Sequence, residues 1–513
     1  MQIAFKHYVK MISFAVSLLL LVLGYLVYGK VVEHIFQPDD RPTPAIANAD
    51  GVDYIALPAW KVYMIQFLNI AGTGPIFGAI MGAWYGPAAY LWIVFGCIFA
   101  GSVHDYFSGM LSVRHNGCNL PELVGDYLGL KAKHVMLVFS VFLLMMVGVV
   151  FVYSPALVLN SFGWTTMGWV IVIFVYYILA TLLPIDKIIG RIYPFFAFAM
   201  LFMAVALMVV LFVKMPALPE VWSDVRAAQS QPLLGITPYM EKNPLFPCLF
   251  LTIACGAISG FHGTQSPLMA RCIKSERMGR RIFYGAMITE GIVALIWASV
   301  SMYFFYYGGW REVVDAKTLN DFMAQSQGGK TLIQYFTAPT VVQQVCTGWL
   351  GLFGGALAII GVVAAPITSG DTAFRSARLI IADALHLSQR PLRSRLLIAI
   401  PMFVAATGLL VWQETNPDGF NTIWQWFGWS NQTLAIFTLW TITVYLVQQK
   451  KPFIVTLIPS VFMTVVCSTF LLVSPMAFNL GSAVSYIGAC VVCVVACVWF
   501  FAWYRKQGIA NRQ

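Results

Sequence analysis

Apolar stretches long enough to cross a bilayer recur from one end of this 513-residue chain to the other. A hydrocarbon core of about 30 Å takes roughly 20 helical residues. Thirteen such stretches can be drawn, at 11–29, 62–83, 87–112, 133–153, 166–183, 192–213, 245–262, 282–307, 345–369, 395–412, 428–447, 452–474 and 480–504. Strands of a membrane barrel are about ten residues of alternating polarity, a pattern these uniformly apolar runs do not share. The expected fold class is all-α, a polytopic helical membrane protein of about 13 transmembrane helices. Composition agrees, since only 10% of the residues are charged against about 25% in soluble domains.

Lys6 and Lys10 precede the first stretch as they would in a secretory signal. Gly24, Tyr25, Tyr28, Gly29 and Lys30 follow it without a small-residue cleavage site, so the stretch is read as a retained helix. Cys490, Cys493 and Cys497 fall on one face of the last apolar helix and read as packing residues rather than a metal or redox site. The formal charge of +10 raises the question of nucleic acid. The basic residues sit between apolar spans, however, where they set membrane topology, so the expected partner is the lipid bilayer and not a nucleic acid.

Placing the C-terminus in the cytoplasm, because Arg505, Lys506 and Arg512 follow Trp503 and Tyr504, puts 23 of the 31 Lys and Arg inside. The two richest loops, Arg271 to Arg281 and Arg375 to Arg395, both fall there, as the positive-inside rule requires. Thirteen crossings then leave the N-terminus on the periplasmic side of a bacterial inner membrane, although Lys6 and Lys10 argue locally against it.

The second span contains Gly72, Thr73, Gly74 and Pro75, and a proline preceded by glycines loosens a helix in mid-membrane. The seventh ends in Ser259, Gly260, Phe261, His262, Gly263, Thr264, Gln265, Ser266 and Pro267, which should break in the same way. Paired interruptions at equivalent places in two halves point to a transporter's binding site, where unwound backbone offers free N–H and C=O groups. The spacing predicts a 5+5 inverted repeat over 61–214 and 245–447, with 1–60 before it and two helices and a short tail, 448–513, after it. Close helix packing is the competing explanation for the ladder Gly74, Gly78, Gly82 and Gly86. It leaves Thr73, Pro75 and the polar run from His262 to Ser266 unexplained.

Ionisable residues at membrane depth are costly and usually functional. His104 and Asp105 in the third span could relay protons, or cap the helix near its cytoplasmic end by holding Arg114 or a loop amide. Glu290 lies well inside the eighth span, the same helix of the second repeat as the one that carries Asp105 in the first, and is the favoured proton carrier, with anchoring of a neighbouring backbone break as the alternative. His262 is assigned to substrate binding or titration with Ser259, Gly260, Thr264, Gln265 and Ser266, against the alternative of a hydrogen-bonded structural histidine. Thr368 and Ser369 are hydroxyls of the type that bind hard cations, and Asp371 beside them reads equally as a helix-end ion pair with Arg375. Asn431 and Gln432 could line the same cavity, or bond between helices as such amides commonly do.

Four segments, AGTGPIFGAIMGAWYGP at 71–87, GSVHDYFSGMLSVRHNG at 101–117, ACGAISGFHGTQSPLMARC at 254–272 and TSGDTAFRSARL at 368–379, together resemble the carbon starvation protein A (CstA) family. That resemblance, which covers about residues 40 to 440, implies a peptide or pyruvate transporter of the inner membrane in the amino acid–polyamine–cation superfamily, with a LeuT-like fold. It implies that Gly72 to Pro75 and Ser259 to Ser266 are the unwound segments, and that Thr368 and Ser369 answer to a sodium site found in some members. Many members are longer, so any role of their additional region is not implied here.

The expected function is ion-coupled import of peptides by alternating access, driven by H+ or Na+, with no other cofactor. A pyruvate or small-carboxylate proton symporter is the alternative. No HExxH, GxSxG or GxxxxGK[ST] occurs, which disfavours a hydrolase and an ATP-driven pump. A zinc ion between His104, Asp105 and His262 would be tested by metal analysis. A nutrient sensor would usually carry a cytoplasmic output domain, for which the short loops leave no room.

Overall fold

The computed structural model describes residues 11–51, 53–160, 163–182, 185–389, 391–416 and 419–510. Lys6, Lys10, Arg390 and Arg512 lie outside them. Helices account for each of the thirteen apolar stretches within the described residues, with breaks inside the second and the seventh. In chain order they are α1 Ile12–Phe36, α2 Ala59–Ala71 continuing as Gly74–Tyr85, α3 Ala88–Arg114, α4 Leu130–Leu159 and α5 Thr166–Leu182. Next come α6 Ile185–Lys214, α7 Leu245–Thr252 continuing as Gly260–Ala270, α8 Glu276–Tyr306 and α9 Ala338–Ala384. The last four are α10 Leu392–Thr415, α11 Gly419–Gln448, α12 Ile454–Val473 and α13 Ser482–Ala510. Nine described helices are long and apolar enough to cross a membrane unaided, and the two halves of α2, bent by 52°, make a tenth. The other three are the 17-residue α5, the interrupted α7, and α11, which carries Asn431 and Gln432.

Exposure sorts the helices by what they face. Val27 on α1, Val213 on α6, Val404 on α10 and Trp499 on α13 are all more than 60% exposed, a surface suited to acyl chains rather than water. By contrast α8 is buried along nearly its whole length, from Ile282 to Phe305, and forms the centre of the bundle.

The extramembrane segments fall into two sets. On one face Glu276 pairs with Arg114 at 3.0 Å, Arg277 with Asp40 at 2.7 Å and Arg280 with Glu33 at 2.7 Å. Asp39 accepts from Arg41, which holds its carboxyl well below the usual range. At the other ends of the helices, Glu220 accepts from the backbone of Ile12 and Ser13 at 2.9 and 2.6 Å, and Lys214 pairs with Glu312. The basic loop after α7 therefore lies on the same face as the segments after α1 and α3, as thirteen alternating crossings require.

Helices α2 and α7 open two runs of five, α2–α6 and α7–α11, and they touch at their interruptions. A Cβ on Gly74 would fall 2.3 Å from the Cβ of Cys255, and one on Gly78 2.5 Å from the carbonyl oxygen of Thr252. The glycine ladder thus serves close packing, and what it packs against is the other break. Helix α9 is kinked at Gly351, at φ +68°, and the polar run Thr368 to Thr372 lies fully buried well inside the helical segment that follows the kink rather than at its end, because tertiary burial of the run lets the helix continue to Ala384.

Candidate functional site

The first interruption is short. After Ala71 the chain passes through Gly72, at φ +44°, and Thr73 before the helix resumes at Gly74. A side chain at Gly72 would be strained at that φ, and its Cβ would fall 2.7 Å from the Phe151 ring. The second interruption is longer and falls earlier than the prolines suggested. It runs from Ile253 to Ser259, so His262, Thr264, Gln265 and Ser266 lie in the first turns of the resumed helix, with Pro267 inside it. The restart is set from a distance, since Asn431 Oδ1 on α11 accepts from the Phe261 backbone N–H at 2.7 Å and from the Ser259 hydroxyl at 3.0 Å. Asn431 thereby satisfies a donor that the new helix N-terminus would otherwise leave orphaned.

The ionisable residues of α3, α7 and α8 converge beside this second interruption. Asp105 on α3 is fully buried and lies 2.8 Å from His104 Nδ1 through one oxygen and 2.9 Å from His262 Nδ1 through the other. A carboxylate accepts but cannot donate, so both imidazoles present Nδ1–H to it and turn Nε2 outward. His262 Nε2 then faces Glu290 Oε2 of α8 at 3.5 Å. Glu290 is fully buried, and neither of its oxygens has a hydrogen-bond partner. A desolvated anion in that position is expensive, so the His262–Glu290 gap is a place for a proton or another cation. Arg114, considered above as a partner for Asp105, pairs instead with Glu276.

The remaining candidate residues surround this chain of four. Ser266 Oγ donates to the His262 carbonyl at 3.0 Å and accepts from Ser108 at 3.4 Å. The Thr264 hydroxyl donates to Phe261 O and accepts from Gln265 Nε2, which leaves Gln265 Oε1 without a partner. Gln432 Nε2 donates to Phe250 O, just before the interruption. Ser369 Oγ donates to Leu68 O at 3.0 Å, which sets it on the first half of α2, and Thr368 Oγ1 donates to Ala365 O at 2.8 Å. Asp371 accepts from Tyr193 at 2.6 Å, while Arg375 lies 3.7 Å from Asp53 and donates to Ala180 O, so the two do not form a simple helix-end pair.

Two residues not singled out from the sequence join the set. Gln66 and Asn69 in the first half of α2 are fully buried, and all four of their side-chain polar atoms lack partners, as does the hydroxyl of Thr73. The signal was present, since amides three residues apart in an apolar helix share a face. Native proteins leave few such groups unsatisfied, and three within two turns mark a polar surface that a solute can complete.

Two interrupted helices crossing at mid-bundle, with buried polar groups unspent at both, define an inverted-repeat membrane carrier of the LeuT-like class. A manganese transporter from Eremococcus coleocola has the same fold, with a TM-score of 0.55 at 12% identity over 89% of this chain and 99% of that one. MhsT, solved in complex with L-phenylalanine, aligns with a TM-score of 0.50 at 14% identity, over 84% of this chain and 97% of that one. The chain belongs to the carbon starvation protein CstA family, which matches residues 9–167, 151–317 and 310–470. An uncharacterized membrane protein of Haemophilus influenzae is 45% identical over 58% of this chain and 91% of its own length. The peptide transporter CstA of Campylobacter jejuni is 28% identical over 86% of this chain and 77% of its own. The pyruvate/proton symporter BtsT of Escherichia coli is 25% identical over 84% of this chain and 76% of its own.

Proposed function

We propose that this protein is a proton-coupled importer of peptides in the bacterial inner membrane, working by alternating access. The observation that carries the reading is the His104–Asp105–His262–Glu290 chain at the second interruption, where a proton arriving between His262 Nε2 and Glu290 neutralises an otherwise unpaired buried carboxylate. The solute's polar ends would bind at the two interruptions, using Gln66, Asn69 and the backbone of Gly72 to Pro75 on one side and Ser259 to Ser266 on the other. The repeats 61–214 and 245–447 would then rock about that point. Enzymatic chemistry has no part in this scheme. In this reading the C-terminus is cytoplasmic and the N-terminus periplasmic, an orientation supported by the distribution of basic residues among the loops.

A small carboxylate such as pyruvate is the second reading, favoured by the similarity to BtsT. Sodium at Thr368 and Ser369 is the alternative coupling ion, and Ser369 contacts Leu68 O next to the first interruption. Uptake of labelled dipeptide and labelled pyruvate into proteoliposomes, under proton and sodium gradients imposed separately, tests the reading. Accumulation of dipeptide driven by the proton gradient is expected. Failure of both solutes to accumulate under either gradient would sink it.

A further inference from the structure

Cys255 lies inside the second interruption, and the transport scheme gives it no role. Its sulfur, a nitrogen of His262 and a carboxylate oxygen of Glu290 all lie within 4.8 Å of one another, and all three residues are buried. We propose that Cys255, His262 and Glu290 form a binding site for a soft or borderline divalent cation of the Zn2+ class.

The donor set is one thiolate, one imidazole and one carboxylate, a mixture that suits Zn2+ and its transition-metal neighbours and that Mg2+ and Ca2+ avoid. Each donor has an atom to give. Both Glu290 oxygens and His262 Nε2 are fully buried and without hydrogen-bond partners. The supporting atoms are also in place. His262 Nδ1 is bonded to Asp105 at 2.9 Å, and Asp105 to His104 at 2.8 Å, the carboxylate–histidine arrangement that fixes a ligating imidazole with Nε2 toward the metal. Asn431 Nδ2 lies 3.8 Å from the Cys255 sulfur and can donate to it. Bonds of about 2.0–2.3 Å put tetrahedral ligands about 3.3–3.8 Å apart, so the cation would draw the triangle in slightly. Three protein ligands leave a fourth position open.

Binding is charge-balanced, because the cation enters with Cys255 and Glu290 both deprotonated, any proton on either passing to solvent, and two negative ligands then match the charge of the ion. Affinity therefore rises with pH. Under the transport reading given above, on which this one consequence rests, the cation competes with the coupling proton and inhibits uptake more strongly at higher pH.

The probe is Co2+, titrated into the purified full-length protein in which Cys490, Cys493 and Cys497 are replaced by Ser, so that no thiol of α13 can bind it. One equivalent per chain is expected, with a thiolate-to-cobalt charge-transfer band that Zn2+ abolishes. Cys255→Ser should lose the band, Glu290→Gln should weaken binding at least tenfold, and Asp105→Asn should weaken it about 10–100-fold by releasing the imidazole. Cys467→Ser, at a buried cysteine elsewhere, should keep it. Absence of stoichiometric binding, or a band that survives Cys255→Ser, overturns the site. X-ray absorption of the Zn2+-loaded parent protein needs no substitution at the site, and a first shell without sulfur there overturns it as well. Proton-driven uptake by a protein that binds no metal would remove this inference and leave the transport reading intact, whereas stoichiometric binding without uptake of any solute would do the reverse.

Discussion

The two interrupted helices differ more in chemistry than in position. The first break occupies Gly72 and Thr73, and its polar neighbours Gln66, Asn69 and Thr73 are neutral and unpartnered. The second spans Ile253 to Ser259, is pinned by Asn431, and adjoins the titratable chain from His104 to Glu290. The transport scheme proposed above assigns the two breaks different labour. In the proposed scheme the neutral amides recognise a solute without changing charge, and the imidazole–carboxylate chain changes charge at mid-membrane, where a proton moved is energy coupled.

Glu290→Gln strikes the charged half alone. It should abolish accumulation driven by a proton gradient while equilibrium exchange of labelled solute across the same proteoliposomes continues. Loss of exchange as well would erase the division. Asn431→Ala should come next in size. It removes the acceptor for Phe261 N–H and the Ser259 hydroxyl, leaves buried donors unpaired at a cost of about 1–3 kcal/mol, and should lower the thermal midpoint in detergent. Asn431→Asp, which keeps an acceptor there, should recover part of that loss.

Asn69→Ala tests the neutral half. Removing one solute hydrogen bond should raise the half-saturating concentration by up to about tenfold, equivalent to roughly 1.4 kcal/mol, with the dependence of uptake on the proton gradient unchanged. An altered gradient dependence would mean that the first break also takes part in coupling. The smallest effect is expected far from both breaks, at Glu312. Hydrogen bonds from Lys214 and then Tyr303 hold its carboxyl below the ordinary value. The stability it contributes is therefore present above the usual carboxylate range and fades as pH falls through the depressed folded value. Lys214→Met should flatten that part of a melting-temperature-against-pH curve by no more than a few tenths of a kcal/mol, the scale of an exposed pair, and should leave the properties of both breaks untouched.

Much of this was legible in the residues. Hydrocarbon forces a spanning segment to satisfy its own backbone, so thirteen apolar stretches mean helices, and a charge such as Glu290 in mid-span stands out against its surroundings. The glycines and prolines of 72–75 marked the first break because a helix defect there is local. The second break falls a turn or two earlier than its glycines and proline indicate. Pro267 is tolerated within a helix whose start is fixed by Asn431, 170 residues away in the chain, and no local pattern encodes such a cap.

The sequence by itself determined the class, the approximate spans, the first interruption and the titratable residues, since each depends on local hydropathy or on backbone chemistry within a few residues. Only the tertiary structure decided that His104, Asp105, His262 and Glu290, from three separate helices, make one chain of contacts. The same holds for Cys255, which reads in the sequence as one more small apolar residue, and for Gln66 and Asn69, which become significant because nothing in the fold bonds them. Which polar groups meet is fixed by helix rotation and crossing, and those are set by the packing of glycine faces such as Gly74 and Gly78 against the opposite break, a long-range fit that periodicity along the chain does not carry.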